Sequence, residues 1–192
     1  MAGVTLEFDN AAVLAALQAA ADALGNPEPL LRDMGEHLMI AHDARFASQS
    51  APDGTPWQAL SPSYLRRKRK NQDKILRLDG HLAGTLRFQV NGGELLFGSD
   101  RKYAAIHQFG GEIQRQARDS EVFFKQDRRT GEVGNRFVKK AKSNFAQRVQ
   151  IGAHTIRIPA RPFLGTSTAD DAELLTIAQN FLQQAISGDP AK

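Results

Sequence analysis

Chemistry requires side chains that converge, and the five histidines, His37, His42, His81, His107 and His154, fall in different predicted elements. Only His37 and His42 are close in sequence. Five residues apart on a helix they lie about 140° apart around the axis, whereas two ligands on one helical face need a spacing of three or four. Glu36-His37 also lacks the second histidine of a zinc-protease helix. With no cysteine in the chain, a disulfide scaffold, a thiolate nucleophile and a thiolate-ligated zinc or iron–sulfur centre are excluded. There is no Gly-Xaa-Ser-Xaa-Gly elbow, no phosphate loop ending in Gly-Lys-Ser/Thr and no Gly-Xaa-Gly-Xaa-Xaa-Gly turn. The sequence therefore offers no catalytic residue, no cofactor site and no metal site, and the expectation is a protein that is not an enzyme.

Charge is more informative. The net charge is only +4, from 25 Lys and Arg against 21 Asp and Glu, but it is segregated along the chain. Residues 1–60 hold two basic and eight acidic side chains, residues 61–157 hold 21 basic and nine acidic, and residues 158–192 hold two and four. The densest run is Arg66-Arg67-Lys68-Arg69-Lys70, and further cations, among them Arg128, Arg129, Lys139 and Lys140, follow in the polar stretch beyond Glu112. Such cations either meet an anionic surface, nucleic-acid phosphate or an acidic protein patch, or form a solvated face. Trp57 and Tyr64 lie beside the run, and two aromatics are too few for a base-stacking platform.

Two compact motifs read as structural. In Tyr103-Ala104-Ala105-Ile106-His107-Gln108-Phe109-Gly110-Gly111, large side chains every three residues suit one helical turn packed on a sheet. Its histidine is expected to be satisfied by hydrogen bonds, and the two glycines allow a sharp exit. In Pro159-Ala160-Arg161-Pro162-Phe163-Leu164-Gly165, two prolines fix the backbone, Phe163 and Leu164 are expected to be buried, and Arg161 serves as an anchoring cation.

The elements around these motifs follow from period and punctuation. Val4–Phe8 alternates like a short strand, and Asp9 and Asn10 can cap a helix over Ala11–Leu24 in which Leu14, Leu17 and Leu24 share a face before Gly25. Pro27 and Pro29 open a second helix, about Pro29–Ala47, with Leu30, Leu31, Met34, Leu38, Ala41 and Phe46 as its apolar stripe. Turn formers crowd Ser50–Pro56, and Ser61-Pro62 can cap a short basic segment reaching Lys70. Leu82–Val90 and Glu94–Gly98 flank Asn91-Gly92-Gly93 and predict a hairpin. Glu112–Arg148 has no sustained period, His154–Ile158 alternates as if returning to the sheet, and Thr168-Ala169-Asp170-Asp171 caps a closing amphipathic helix. The class is α+β, helices on a mostly antiparallel sheet with a basic extended insertion or arm. At 192 residues and 41% hydrophobic, one domain over 1–192 is expected, with 112–150 as a mobile insertion. No stretch is apolar enough to span a membrane, and Met1–Asn10 has no basic region of a signal peptide, so a soluble, unexported product is expected.

Four islands taken in order resemble the phage virion morphogenesis family, the tail completion proteins of contractile-tailed temperate phages and Mu-like prophages. They are Pro52-Asp53-Gly54-Thr55-Pro56-Trp57 with Leu60-Ser61-Pro62-Ser63-Tyr64, then Ile75–Leu82, Tyr103–Gly111 and Pro159–Gly165. Asp79 stands where a hydroxyl residue is expected before Gly80, and Glu112–Arg148 shows no family pattern. The resemblance implies a structural protein of the tail or neck that acts late, where tail meets head. Its implied partners are other tail or neck proteins and copies of itself, with a ring as the looser implication, within a virion assembled in the host cytoplasm. Arg66–Lys70 and the arm are expected to contact neighbouring subunits, the tail tube or packaged DNA, with Trp57 and Phe109 as packing anchors near the joining loops. The competing reading is a small basic nucleic-acid-binding module.

Overall fold

A computed structural model describes residues 11–187. The strand expected at Val4–Phe8 and its capping pair Asp9 and Asn10 lie outside the described residues. The described residues divide into two compact units, one within 11–109 and 159–187 and one of residues 110–158.

In the first unit, α1 (Ala11–Gly25) lies along the closing helix α5 (Thr168–Ser187). The expected leucine face is not what it buries: Leu14, Leu17 and Leu24 are all more than half exposed. The half-buried positions are Ala16, Ala19, Ala20 and Ala23, a stripe at helical spacing whose small side chains let two backbones approach. Helix α2 (Glu28–Ser48) starts with Pro27 at the cap and Glu28 and Pro29 in the first turn. It ends where Gln49 turns left-handed at φ 58° and returns its N–H to the Arg45 carbonyl at 2.8 Å. It buries Leu30, Gly35, Leu38, His42, Arg45 and Phe46, and packs against α5 and a hairpin of β1 (Leu86–Asn91) and β2 (Glu94–Ser99). The hairpin begins later than Leu82, because Ala83–Thr85 form a 3₁₀ turn first. Gly92, at φ 60°, makes its tight reversal.

The connecting segments are fixed by local bonds. Ser61 caps the one-turn helix α3 (Pro62–Leu65) by accepting from the Tyr64 N–H at 3.3 Å. Helix α4 (Ala104–Phe109) follows the hairpin. Phe46, Trp57, Leu82, Leu86, Ala104 and Phe163 form the core. Phe46 lies at its centre, edge-on to Trp57 at 5.4 Å and 5.6 Å from Phe163.

The second unit holds four strands, β3 (Gly111–Arg115), β4 (Arg118–Phe124), β5 (Phe145–Ile151) and β6 (His154–Ile158), as antiparallel pairs β3–β6 and β4–β5. The pairings share one register, since thirteen residues inward from Gly111–Ile158 on both strands reach Phe124–Phe145. The unit is thus one long two-stranded ribbon interrupted once. The α+β class holds: among the described residues the β-structure is the β1–β2 hairpin and the two paired stretches of this ribbon. His154–Ile158 therefore does not rejoin the β1–β2 hairpin; it closes on β3.

The contact at Gly35 gives a test. A β-carbon there would lie 2.4 Å from the Phe88 ring, and that collision outweighs the roughly 0.5–1 kcal/mol that alanine normally gains over glycine in a helix. Gly35→Ala should destabilise the protein by about 1–3 kcal/mol in urea unfolding, as overpacking does, and Phe88→Leu in the same chain should recover most of the loss.

Candidate interaction surface

The motifs singled out in the sequence meet in the first unit, and backbone carbonyls are their main currency. Trp57 Nε1 donates to the Pro162 carbonyl at 2.8 Å. Arg161 is buried and donates to the carbonyls of Gln58, at 2.8 Å, and Ala59, at 3.3 Å, while its own N–H bonds the His107 carbonyl at 2.7 Å. Gln108 accepts from the N–H groups of Phe163 and Leu164, both at 2.9 Å, and donates to the Leu164 carbonyl at 3.0 Å. Phe163 is fully buried. The segment Pro159–Gly165 is thus gripped by Trp57 on one side and by α4 on the other.

Arg45 completes the joint. Its Nη1 donates to the carbonyls of Phe163, at 3.2 Å, and Gly165, at 2.8 Å, and its Nη2 to Asp170 at 2.8 Å. Asp170 in turn accepts from the N–H and hydroxyl of Ser167, each at 2.8 Å, and its N–H donates to the Ser167 hydroxyl at 3.1 Å. This reciprocal cap starts α5 one residue earlier than the capping sequence expected at Thr168. Burial pushes the Asp170 carboxyl upward, but the Ser167 bonds and the Arg45 charge outweigh it and leave its pKa below the usual carboxylate value. Burial pulls the guanidinium of Arg45 down, against the pull of Asp170, and does the same to Arg161.

Besides His37, whose buried Nε2 has no hydrogen-bond partner and lies 3.5 Å from Asp170 Oδ1, two histidines carry a buried ring nitrogen without a partner. His42 Nδ1 lies 2.6 Å from the Leu38 carbonyl, an acceptor only, so Nδ1 carries the proton and the buried Nε2, without a partner, is bare. Its ring sits 4.3 Å from that of Phe97. His107 is half-buried and its Nδ1 has no hydrogen-bond partner, so the expectation of a satisfied histidine is corrected: Tyr103, edge-on at 6.0 Å, covers it with apolar surface. Desolvation lowers the pKa of both, assisted at His107 by the Arg161 charge. Among the described residues no three His, Asp or Glu side chains are grouped to hold a metal ion, and no helix is long and apolar enough to cross a membrane.

A profile of the phage virion morphogenesis family matches residues 8–183. The chain belongs to that family. Protein G of Escherichia phage Mu, whose name describes it as a capsid assembly protein, is 32% identical over 115 residues, covering 56% of this chain and 74% of that protein. Mu-like prophage FluMu G protein 2 of Haemophilus influenzae is 24% identical over 184 residues, covering 95% of this chain and 99% of the relative. No solved structure matches. A role in phage structure and assembly follows from the family.

Several residues expected at the surface or in packing are placed differently. Within Arg66–Lys70, Lys68 is buried, its Nζ donating to the carbonyls of Asn71 and Lys74, and burial pulls its pKa down. It folds the loop back, so the exposed face of the run is Arg66, Arg67, Arg69 and Lys70, with Lys70 paired to Asp79 at 3.1 Å. Tyr64 is exposed. Phe109 is 78% exposed and so is no packing anchor; α4 instead turns Ala104 and Gln108 inward. Gly110 and Gly111 make the exit with φ of 72° and 156°. In the second unit Lys125, Arg128, Arg129, Arg136, Lys139, Lys140 and Lys142 are all exposed. Sequence reasoning missed Arg45, His42, Gln108 and the pairing role of Asp170. The signal for two of them was present: His42 and Arg45 continue the Leu38–Phe46 stripe at helical spacing, and polar residues on a buried stripe need partners.

The joint yields two measurements. Asp170→Asn keeps the hydrogen-bond acceptor and removes the charge facing a buried guanidinium, and should cost about 3–5 kcal/mol in urea unfolding, the scale for orphaning one member of a buried pair. For the histidines, the folded state holds the imidazoles neutral below the ordinary value of 6.5. Their contribution is complete above about pH 6.5 and is lost as pH falls below it, where the unfolded chain takes up protons that the folded chain refuses. Stability should therefore fall by about 1.4 kcal/mol per pH unit per histidine on acidification below that point, and His107→Gln should flatten the profile.

Proposed function

We propose that this protein is a structural, non-enzymatic tail completion protein that joins tails to heads late in assembly, working as a homo-oligomer among other tail or neck proteins of the virion, which is assembled in the host cytoplasm. The observation that carries the reading is the family match over residues 8–183, which takes in the four islands. The geometry is consistent with it. Residues of the first, third and fourth islands are bonded into one joint, while Phe109, Ile40 and Leu175, each more than half exposed, leave large apolar side chains outside, as a protein that buries them against partners does. The name of the phage Mu relative points to the capsid side, and a head–tail junction is where capsid and tail meet. Arg66, Arg67 and Arg69 supply a charged contact surface whose counterpart is acidic.

Deletion of the gene from a prophage that carries it, followed by induction and electron microscopy, tests the reading. Filled heads and full-length tails lying unjoined, restored to whole particles by the gene in trans, are expected. Absent or malformed capsids would instead assign it to capsid building. Complementation with Arg66, Arg67 and Arg69 all changed to Glu should leave heads and tails unjoined, and normal joining would reduce that run to a solvated face.

A further inference from the structure

The second unit carries a basic feature to which the reading above gives no role. Beyond Phe124–Phe145 the ribbon ends in a loop whose residues 125–142 hold seven Lys or Arg and two acids. The loop is tied down by its own bonds. Gln126 and Asn144 exchange two bonds of 2.7 Å, and Gln126 Nε2 donates to the Gly131 carbonyl at 2.8 Å. Asp127 accepts from the N–H groups of Arg129, at 2.7 Å, and Thr130, at 3.2 Å, which lowers its pKa. Ser143 donates to the carbonyls of Phe124 and Phe145, both at 2.7 Å.

These bonds spend one of the two acids on closing the turn and hold the cations on an ordered frame. All seven cations are exposed, and none of them forms an ion pair among the described residues. The run at Arg66–Lys70 is the weaker candidate: Lys68 is buried, Lys70 is paired, and Arg67 donates to the Ser63 carbonyl at 3.1 Å. A two-stranded ribbon is also narrow enough for the major groove of a duplex, about 12 Å wide.

From this we infer that the ribbon tip, Lys125–Lys142, binds the phosphate backbone of nucleic acid, independently of base sequence. The affinity comes from counterion release, one cation per phosphate, and so is set by salt rather than by burial. This inference stands or falls apart from the joining role.

The experiment is fluorescence anisotropy of the full-length protein with a labelled 24-base-pair duplex between 50 and 200 mM NaCl, with poly-glutamate as a competing polyanion. With all seven cations engaged, the slope of log K against log salt should be about −6, roughly a 6,000-fold loss of affinity across that range. Arg128→Gln, Arg129→Gln and Lys139→Gln together remove charge without touching the loop's bonds. They should bring the slope to about −4, roughly a 150-fold loss over the same range, with circular dichroism and melting temperature unchanged. Arg66→Gln with Arg69→Gln should leave the slope as it was. No binding at 50 mM, a slope indifferent to the tip variant, or a slope moved instead by Arg66 and Arg69 would each overturn the inference. So would poly-glutamate competing as well as unlabelled duplex at equal charge, which would make the tip a surface for acidic protein.

Discussion

The first unit depends on one buried cation. Arg45, with 6% of its side chain exposed, is held by two carbonyls and one carboxylate contributed by segments about 120 residues further along the chain. A guanidinium cannot escape burial by losing its proton, so the cost of desolvating it must be met by geometry. The Phe163 and Gly165 carbonyls are presented only when the proline-bounded segment takes its course, and the Asp170 carboxylate only when Ser167 caps α5. Folding of the loop, docking of α5 on α2 and burial of the charge are therefore one event. The partnership is a specificity device as much as a stabilising one, since a misplaced Pro159–Gly165 would leave an unpaired charge in the core.

The same logic runs through the islands by which the chain resembles its family. Trp57, Gln108 and Arg161 each use a side-chain polar group to satisfy a backbone group of another segment. Segments without regular structure must find partners for their N–H and carbonyl groups when buried, and here the partners are single residues from distant islands. Gly165 fits this reading. At φ 128°, it has Pro52 3.0 Å from where a β-carbon would stand, so the first island touches the last where only glycine fits.

How much of this was legible in the sequence varied by element and for physical reasons. Helices α2 and α5 and the β1–β2 hairpin were readable because their signals, apolar period, proline at the start and an Asn-Gly turn, are local. The leucine face of α1 misled because alanine, though small, packs two helices more closely than leucine does. The ribbon was missed because two-stranded pairing leaves only a faint mark on either strand alone. Phe145, Val149 and Ile151 do alternate, but Phe123 beside Val122 and Phe124 breaks the period on the opposite strand. Of the joint, the aromatic and proline parts were visible and Arg45 and Gln108 were not, because a polar residue inside an apolar stretch reads as an exposed one until its partner is known.

Charge segregation, by contrast, was readable at once, and the structure changes what it means. Of the five cations at Arg66–Lys70, one is consumed in holding a loop and one is paired, so the run offers a partner fewer free charges than its sequence implies. The more widely spaced cations beyond Phe124 flank a turn closed by Asp127, and none of them forms an ion pair among the described residues. Local density along a chain measures charge per residue, whereas a partner meets charge per area. The second quantity depends on which ammonium groups the fold itself consumes, and that is decided by backbone carbonyls, which every residue carries and no composition records.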